Sequence, residues 1–362
     1  MNMYSIKQLL LKTSILVGLV LLLAACTGGN SPNGTGSNAT PTTQSQVTAT
    51  TGVAATSTPS IGLGSQHCPA AVSSPAHWNA LIPTQANVTE VVRVLCGNLK
   101  GTPTLQALVT VLHDGTGAIV DAYVYDNLTS ATPTQIFKVL NLYKGDAKIS
   151  GYNTVITAEV DLNSSVNINK PGVALNQDLT REFKWSDGAG TLVQIIFSGI
   201  FPDLTRYQAE ADQVQVNQGQ QSWKLSATTT AQNFGARLLT WDSNAPATIV
   251  SGGGQGDAQA VVKLKNTTAG SQEITLTMSR LEGNTNGGIW IITAVAADGM
   301  SITQPQSASL LSTPATVTGM GNAFEGVVGP VTILDHLYAD IGHVSAHGAA
   351  GNGNTTFSAS VS

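Results

Sequence analysis

Residues 105–127 read LQALVTVLHDGTGAIVDAYVYDN. Two β-branched and aromatic runs flank Asp114-Gly115-Thr116-Gly117, whose residue types tolerate the positive φ angles of a tight turn. The stretch predicts an antiparallel hairpin, so antiparallel sheet is the expected frame of the body. Tyr123 and Tyr125 fall on one face of the second strand and Val124 on the other. A partly exposed aromatic platform is one use of that face; core packing is the other.

Working outward, residues 87–99 (NVTEVVRVLCGNL) place Val88, Val91, Val92, Val94 and Leu95 at spacings that fit a helical stripe capped by Asn87 or Thr89. Residues 132–145 (TPTQIFKVLNLYKG) read as a second helix, with Thr132 as cap, Pro133 in the first turn and Gly145 as stop. Residues 146–163 and 180–197 read as strand pairs turning at Gly151 and at Asp187-Gly188. Together these predict an α+β domain over 67–201, antiparallel sheet with helices on one face. A second α+β unit is expected over 202–304. Its helices span 202–221, opening at Pro202-Asp203 and ending at Gly219, and 227–241, with Phe234, Leu238 and Trp241 on one side. Strands follow in 247–266, 271–283 and 287–299, the last carrying Gly288, Trp290 and Val295. This order resembles the cone-shaped α+β fold of the nuclear-transport-factor-like superfamily. Trp241 and Trp290 fall on apolar faces and read as core; a ligand-binding use of this unit would instead need an apolar concavity near them.

The N-terminus speaks to compartment. Lys7 and Lys12 precede the apolar run of residues 15–25, which is short for a membrane span and ends in small residues. Leu23-Ala24-Ala25-Cys26 resembles the lipobox of bacterial lipoproteins, in which the cysteine is lipidated after cleavage. The alternative is an ordinary leader cut after Ala25. The lipobox reading implies a leader over 1–26 and an exported chain held by lipid on Cys26 at the outer face of the cytoplasmic membrane or the cell surface. Residues 27–66 lack charge and nearly all large apolar side chains, and read as a flexible tether reaching about 35 Å. Cys68 and Cys96 then lie outside the cytoplasm, where a disulfide persists; two buried thiols are the alternative. Net charge is −5 and charged residues are 10% of the chain. That balance argues against nucleic acid as a partner.

Near the other end, residues 312–335 (STPATVTGMGNAFEGVVGPVTILD) hold Pro314, Val317 with Gly319, Phe324-Glu325 and a strand closing at Asp335. The pattern resembles the immunoglobulin-like domain of bacterial spore germination proteins. It implies a partial all-β module over 305–362, short of the family's full strand set, with Phe324 buried and Phe357 facing inward. Thr355 to Ser362 is the strand expected at an open edge, and Glu325 is expected to bond backbone N–H groups at a strand end. Gly321 stands where the family often has Ala.

Chemistry is sparse. His343 and His347 sit four apart with Asp335, His336 and Asp340 nearby, but on a strand that spacing is about 13 Å, too far for one ion. The Ser251–Gly256 run lacks the Lys-Ser/Thr of a phosphate loop and reads as a hairpin turn or bulge. Asp187, Asp203, Glu210 and Asp212 are the carboxylates available for acid–base pairs. No metal or cofactor is expected. The reading is a non-catalytic cell-envelope lipoprotein contacting an unidentified envelope protein or wall polymer. A ligand-binding lipoprotein with a pocket in the second unit, and a wall hydrolase, are the rivals.

Overall fold

The computed structural model describes residues 62–82, 89–115, 117–267, 272–281, 287–307 and 309–362. The leader, Cys26 and residues 27–61 of the expected tether lie outside them. Antiparallel sheet dominates: 44% of the chain is strand and 14% helix, so the molecule is β-rich rather than evenly mixed.

In the first body, a single-turn helix, α1 (Pro75–Asn79), precedes two antiparallel sheets that each run in chain order. One holds β1 (Thr89–Gly97), β2 (Gln106–His113), β3 (Val120–Asp126) and β4 (Thr134–Leu142). The other holds β5 (Asp146–Ile149), β6 (Val155–Glu159), β7 (Leu179–Ser186) and β8 (Thr191–Ile195). The hairpin of residues 105–127 is β2–β3, with Ala107 opposite Tyr125 and Val109 opposite Tyr123. The turns at Gly151 and at Asp187-Gly188 join β5–β6 and β7–β8 as expected.

The two helices expected at 87–99 and 132–145 are strands, β1 and β4. Bulges explain the misreading. Val91 and Arg93 pair with the consecutive residues Val111 and Thr110, which leaves Val92 as an extra residue in β1. β4 slips register twice against β3, and Asn141 takes φ 62° at one slip. Each added residue inverts the in–out alternation, so apolar side chains recur at three and four and imitate a helix. β-branched content decides for strand. Asn141 N–H donates to Oδ1 of the buried Asp121 at 2.8 Å.

Leu108, Ala122 and Val124 of the first sheet meet Ile149, Val155, Phe183 and Leu192 of the second. The outer face of the first sheet is covered by Val72, Trp78 and Ile82. Trp78 Nε1–H donates to Val72 O at 2.8 Å, and its ring lies 4.8 Å from Tyr125. Tyr125 is buried there and Tyr123 packs on the same cluster. This face is taken up by packing, with Tyr125 buried and Tyr123 half-buried, and does not form an exposed aromatic platform.

The predicted disulfide joins Cys68 to Cys96 with Cα atoms 5.1 Å apart. Residues just before it are docked on the body. Gly62 N–H donates to Asn98 Oδ1 at 2.9 Å, Gly64 N–H to Asn153 Oδ1 at 2.8 Å and Gln66 N–H to Cys96 O at 2.7 Å.

The second unit carries α2 (Arg206–Asn217) and α3 (Ala227–Leu238), then β9 (Ala247–Gly252), β10 (Gln259–Lys265), β11 (Glu273–Arg280) and β12 (Trp290–Ala297). The sheet order is β12-β11-β10-β9, all antiparallel. Residues 247–266 are two strands; Ser251 and Gly252 still pair within β9 and the turn begins at Gly253, Gly252 and Gly253 both having positive φ. Ser226 caps α3 by accepting from Thr229 N–H. The inner face buries Phe234 of α3 with Leu264, Met278 and Trp290 of the sheet, and Trp241 packs against them. The volume that a cone-like pocket would occupy is filled with side chains.

The remaining strands are β13 (Ser301–Gln304), β14 (Ala315–Ala323), β15 (Val327–Leu334), β16 (Asp340–His347) and β17 (Gly353–Val361). They form a β13-β14-β17 sheet and a β15-β16 pair rather than one layer. Val317, Val331, Ala346, Phe357, Ala359 and Val361 fill the space between. Phe357 faces inward as its alternation predicts. Phe324, expected to be buried, is 69% exposed. It flanks a two-residue loop in which Phe324 and Val327 exchange both backbone hydrogen bonds. Glu325 and Gly326 take φ 51° and 81°, the double positive φ of a type I′ turn. Such a loop projects beyond the core, and Phe324 goes with it. Gly319 lies so close to β13 that a Cβ would stand 2.1 Å from Ser301 O.

Candidate functional site

The four carboxylates singled out by sequence separate into different roles. Asp187 sits in the β7–β8 turn, accepting from Trp185 Nε1–H at 2.7 Å. Glu210 accepts from Gly151 N–H at 2.7 Å and so docks α2 on the first body. Two neighbours on α2 reinforce that docking. Arg206 Nε–H donates to Glu182 Oε1 at 2.6 Å, and Tyr207 O–H to Asp146 Oδ2 at 3.0 Å. Only Asp203 and Asp212 come together.

Both meet on Lys224, a residue that sequence reasoning did not select. Thr205, not Asp203, caps α2 by accepting from Gln208 N–H at 3.2 Å. Asp203 is therefore left ahead of the helix, free to point elsewhere. Asp212 lies on α2 about two turns past that cap. After Gly219 and Gln221, both at positive φ, the chain folds back through the short 3₁₀ turn Ser222–Leu225. That return brings Lys224 into direct contact with the Asp212 carboxylate and within 3.8 Å of Asp203 Oδ2. Lys224 is 3% exposed and Asp203 7%. The Lys224 ammonium lies 5.4 Å from the centre of the Trp223 ring, which Arg237 approaches to 5.1 Å.

Burial governs the titration of both groups. It pushes the Asp203 carboxyl up to about 6, the Lys224 charge only partly offsetting it. It also lowers the Lys224 ammonium; Asp203 opposes that shift and Arg237 adds to it. Asp203 Oδ2 has no hydrogen-bond partner among the described residues, nor has His336 Nε2 nearby.

The far wall is built by the terminal strands. Asp335, one of the motif residues, closes the β15–β16 loop. Its Oδ1 accepts from Leu337 N–H at 2.8 Å and from Ala339 N–H at 2.9 Å. The loop thereby thrusts Tyr338 into the second unit, at φ 61°. Tyr338 O–H donates to Ile200 O at 2.7 Å, and its ring lies 6.3 Å from Phe201. Burial, and then the Asp203 charge, push its hydroxyl well above the ordinary tyrosine range. Between these walls lies an open cleft of about 290 Å³ lined by Pro202, Asp203, Ala211, Asp212, His336 and Tyr338, among others.

The other motif residues stand apart from the cleft. Pro314 is exposed beside β14, Gly319 is at the β13–β14 contact, and Glu325 is in its turn, where its N–H donates to Asn352 Oδ1 at 2.8 Å. The bond runs the opposite way to the one expected: Glu325's backbone donates to a side chain, rather than its carboxylate accepting from backbone N–H groups. His343 Nδ1 is 3.0 Å from Asp340 Oδ2 on β16. Among the described residues no group of three or more His, Cys, Asp or Glu is placed to hold a metal ion, and no helix is long and apolar enough to cross a membrane.

Comparison with family models, with curated proteins and with solved structures gives no match for this chain.

Proposed function

We propose that this is an exported, lipid-anchored, non-catalytic protein of the bacterial cell envelope that works by contact with another envelope component. The leader and the Leu23–Cys26 lipobox support the anchoring. The immunoglobulin-like reading of residues 305–362, with its spore germination resemblance, supports a contact role. The observation that carries the proposal is an edge strand. Among the described residues β9 ends its sheet and pairs with β10 alone, and it carries no charged side chain. Ile249 is 43% exposed and Val250 55%. Exported proteins ordinarily blunt such an edge with Lys, Pro or a covering loop, because it invites strand addition. β17 ends the other small sheet with an equally uncharged sequence, and its Thr356, Ser358 and Ser360 are exposed.

The test is retention of the full exported chain on native envelopes, then extraction and cross-linking through position 248. Ile249→Lys with Val250→Lys is expected to abolish capture while the melting transition stays in place. Unchanged capture sinks β9 as the contact. The same logic applies to Lys at 356, 358 and 360. Deleting β17 is a poor test, because Phe357, Ala359 and Val361 are core.

A wall hydrolase is the second reading. It is favoured by one observation: Asp203 and Asp212 line one cleft, and burial raises the Asp203 carboxyl to about 6. Cleavage of purified peptidoglycan, lost in Asp203→Asn, would establish it. Absence of released fragments at any pH from 4 to 8 would remove it.

A further inference from the structure

We infer that Lys224 Nζ and Asp212 Cγ become joined by an amide bond, a covalent staple between α2 and the turn that follows it, with Asp203 relaying the proton. This goes beyond the contact reading and does not depend on it.

Geometry carries the inference. Amine and carboxylate touch directly, and the lysine is 3% exposed. A surface ion pair is hydrated and mobile; this pair is held at one place by α2 on one side and the 3₁₀ turn on the other. Held reactants gain the large effective concentration that turns a slow condensation into an accessible one. A third group stands in reach. Asp203 Oδ2 lies 3.8 Å from Nζ and has no hydrogen-bond partner among the described residues. Phe201, Trp223 and Tyr338 wall the cluster with aromatic rings, 6.0 Å from Phe201 to Trp223 and 6.3 Å from Phe201 to Tyr338. The 290 Å³ cleft, lined by both carboxylates, provides an exit for a released water.

The protonation states suit the step. Burial lowers the lysine's proton affinity, which favours the neutral, nucleophilic amine. Burial raises Asp203 to about 6, so near neutral pH it is protonated far more often than an ordinary carboxyl and can give that proton. The groups that face this cluster are Asp212 from α2, Arg237 from α3, and His336 and Tyr338 from the β15–β16 loop.

No co-reactant is needed. Lys224 passes one proton to Asp212, leaving an amine and a carboxylic acid. The nitrogen lone pair attacks Cγ and the C–N bond forms. Protonated Asp203 gives its proton to the departing hydroxyl, the C–O bond breaks and water leaves. Asp203 then recovers a proton from the nitrogen. An ammonium and a carboxylate have become an amide and one water, with no change of oxidation state.

The experiment is a tryptic map of the reduced, full exported chain. Trypsin cuts after Arg206, Lys224 and Arg237, but not after an acylated lysine. The staple predicts one uncut peptide of residues 207–237, lighter than its sequence by the mass of one water. A 207–224 peptide at its sequence mass overturns the inference. So does a dehydrated 207–224 peptide that is still cut after Lys224, the mark of an aspartyl succinimide. Lys224→Arg is expected to restore the full mass and serves as the baseline. Asp203→Asn is expected to restore cutting at Lys224, and Asp203→Glu to keep the staple. Undiminished cross-linking in Asp203→Asn overturns the relay. Because the first readout comes from the unmutated chain, it stands even if a variant fails to fold.

Discussion

The first body and the second unit both bury aspartates beside cations, yet the two placements have opposite consequences. In the first body, Asp146 sits at the rim with Arg93 and Lys148. Burial works against its charge, but the hydrogen bonds and charges of those two partners outweigh it and hold the carboxyl below its ordinary range. Asp126, with Lys100 and Gln106, behaves alike. In the second unit Asp203 lies deeper, its cation is taken by Asp212, and burial wins. Depth and competition for the cation, not the mere presence of a partner, decide which way an aspartate shifts. The two regions also close their chains differently. A disulfide ties the entry of the first; the second relies on a helix laid over a filled sheet.

The largest expected effect tests that reliance. Trp290→Ala empties the centre of the second core and is expected to cost about 3–5 kcal/mol. Urea unfolding followed by residue-level hydrogen exchange should show the second unit opening first. If the first body opens with it to the same extent, the docking by Arg206, Tyr207 and Glu210 makes one cooperative unit and the contrast fails. Next comes the disulfide, whose cysteines are 28 residues apart. Replacing both Cys68 and Cys96 by Ala is expected to cost about 3 kcal/mol, from the freed loop of the unfolded chain. The loss should appear as an earlier urea midpoint for β1–β4, with the second unit unchanged.

The third test is pH. Asp203 binds its proton more tightly folded than unfolded. Its contribution is full below the ordinary carboxylate range and is lost as pH rises through about 6, about 2–3 kcal/mol in all. Asp146 has the reverse sign: its contribution is present above the ordinary range and lost as pH falls through its lowered value. Asp203→Asn should remove a decline in stability between pH 4 and 7, and Asp146→Asn a rise at lower pH. Matching slopes in the two variants would erase the distinction. The smallest effect belongs to the exposed Lys263–Glu273 pair, 2.7 Å apart across β10 and β11. Lys263→Ala should leave the melting temperature where it is.

What the sequence disclosed depended on how local the signal was. The hairpins β2–β3, β5–β6 and β7–β8 were legible because their turn residues lie between regular runs. α2 and α3 were legible from their periodicity and from Gly219. β1 and β4 were not, because the bulges at Val92 and near Asn141 shift the alternation by one, and only the partner strand reveals it. The cysteine pair was readable from compartment and spacing. Asp203 and Asp212 could be named as carboxylates, but nothing local ties them to Lys224; that contact exists because Gln221 at φ 49° turns the chain back. Phe324 was misplaced because an apolar residue before Glu-Gly reads as a strand, whereas the type I′ loop carries it past the core. Residues 247–266 read as strand with a hairpin turn or bulge at Ser251–Gly256; what one sequence could not show is that β9 would end its sheet.

The docked segment ahead of the first body has a mechanical consequence. Any pull arriving from the side of Gly62 meets the hydrogen bonds to Asn98 and Asn153, then the Gln66 bond to Cys96, and then the disulfide. Through that covalent link the tension passes from Cys68 directly into β1 and bypasses residues 69–95, α1 among them. α1 and Trp78 therefore carry no load. The force enters β1 at Cys96, next to its last residue, where Cys96 pairs with Ala107 of β2 and Gly97 with Gln106. A chain suspended at this point hangs from the end of an edge strand, and its hydrophobic lid stays slack.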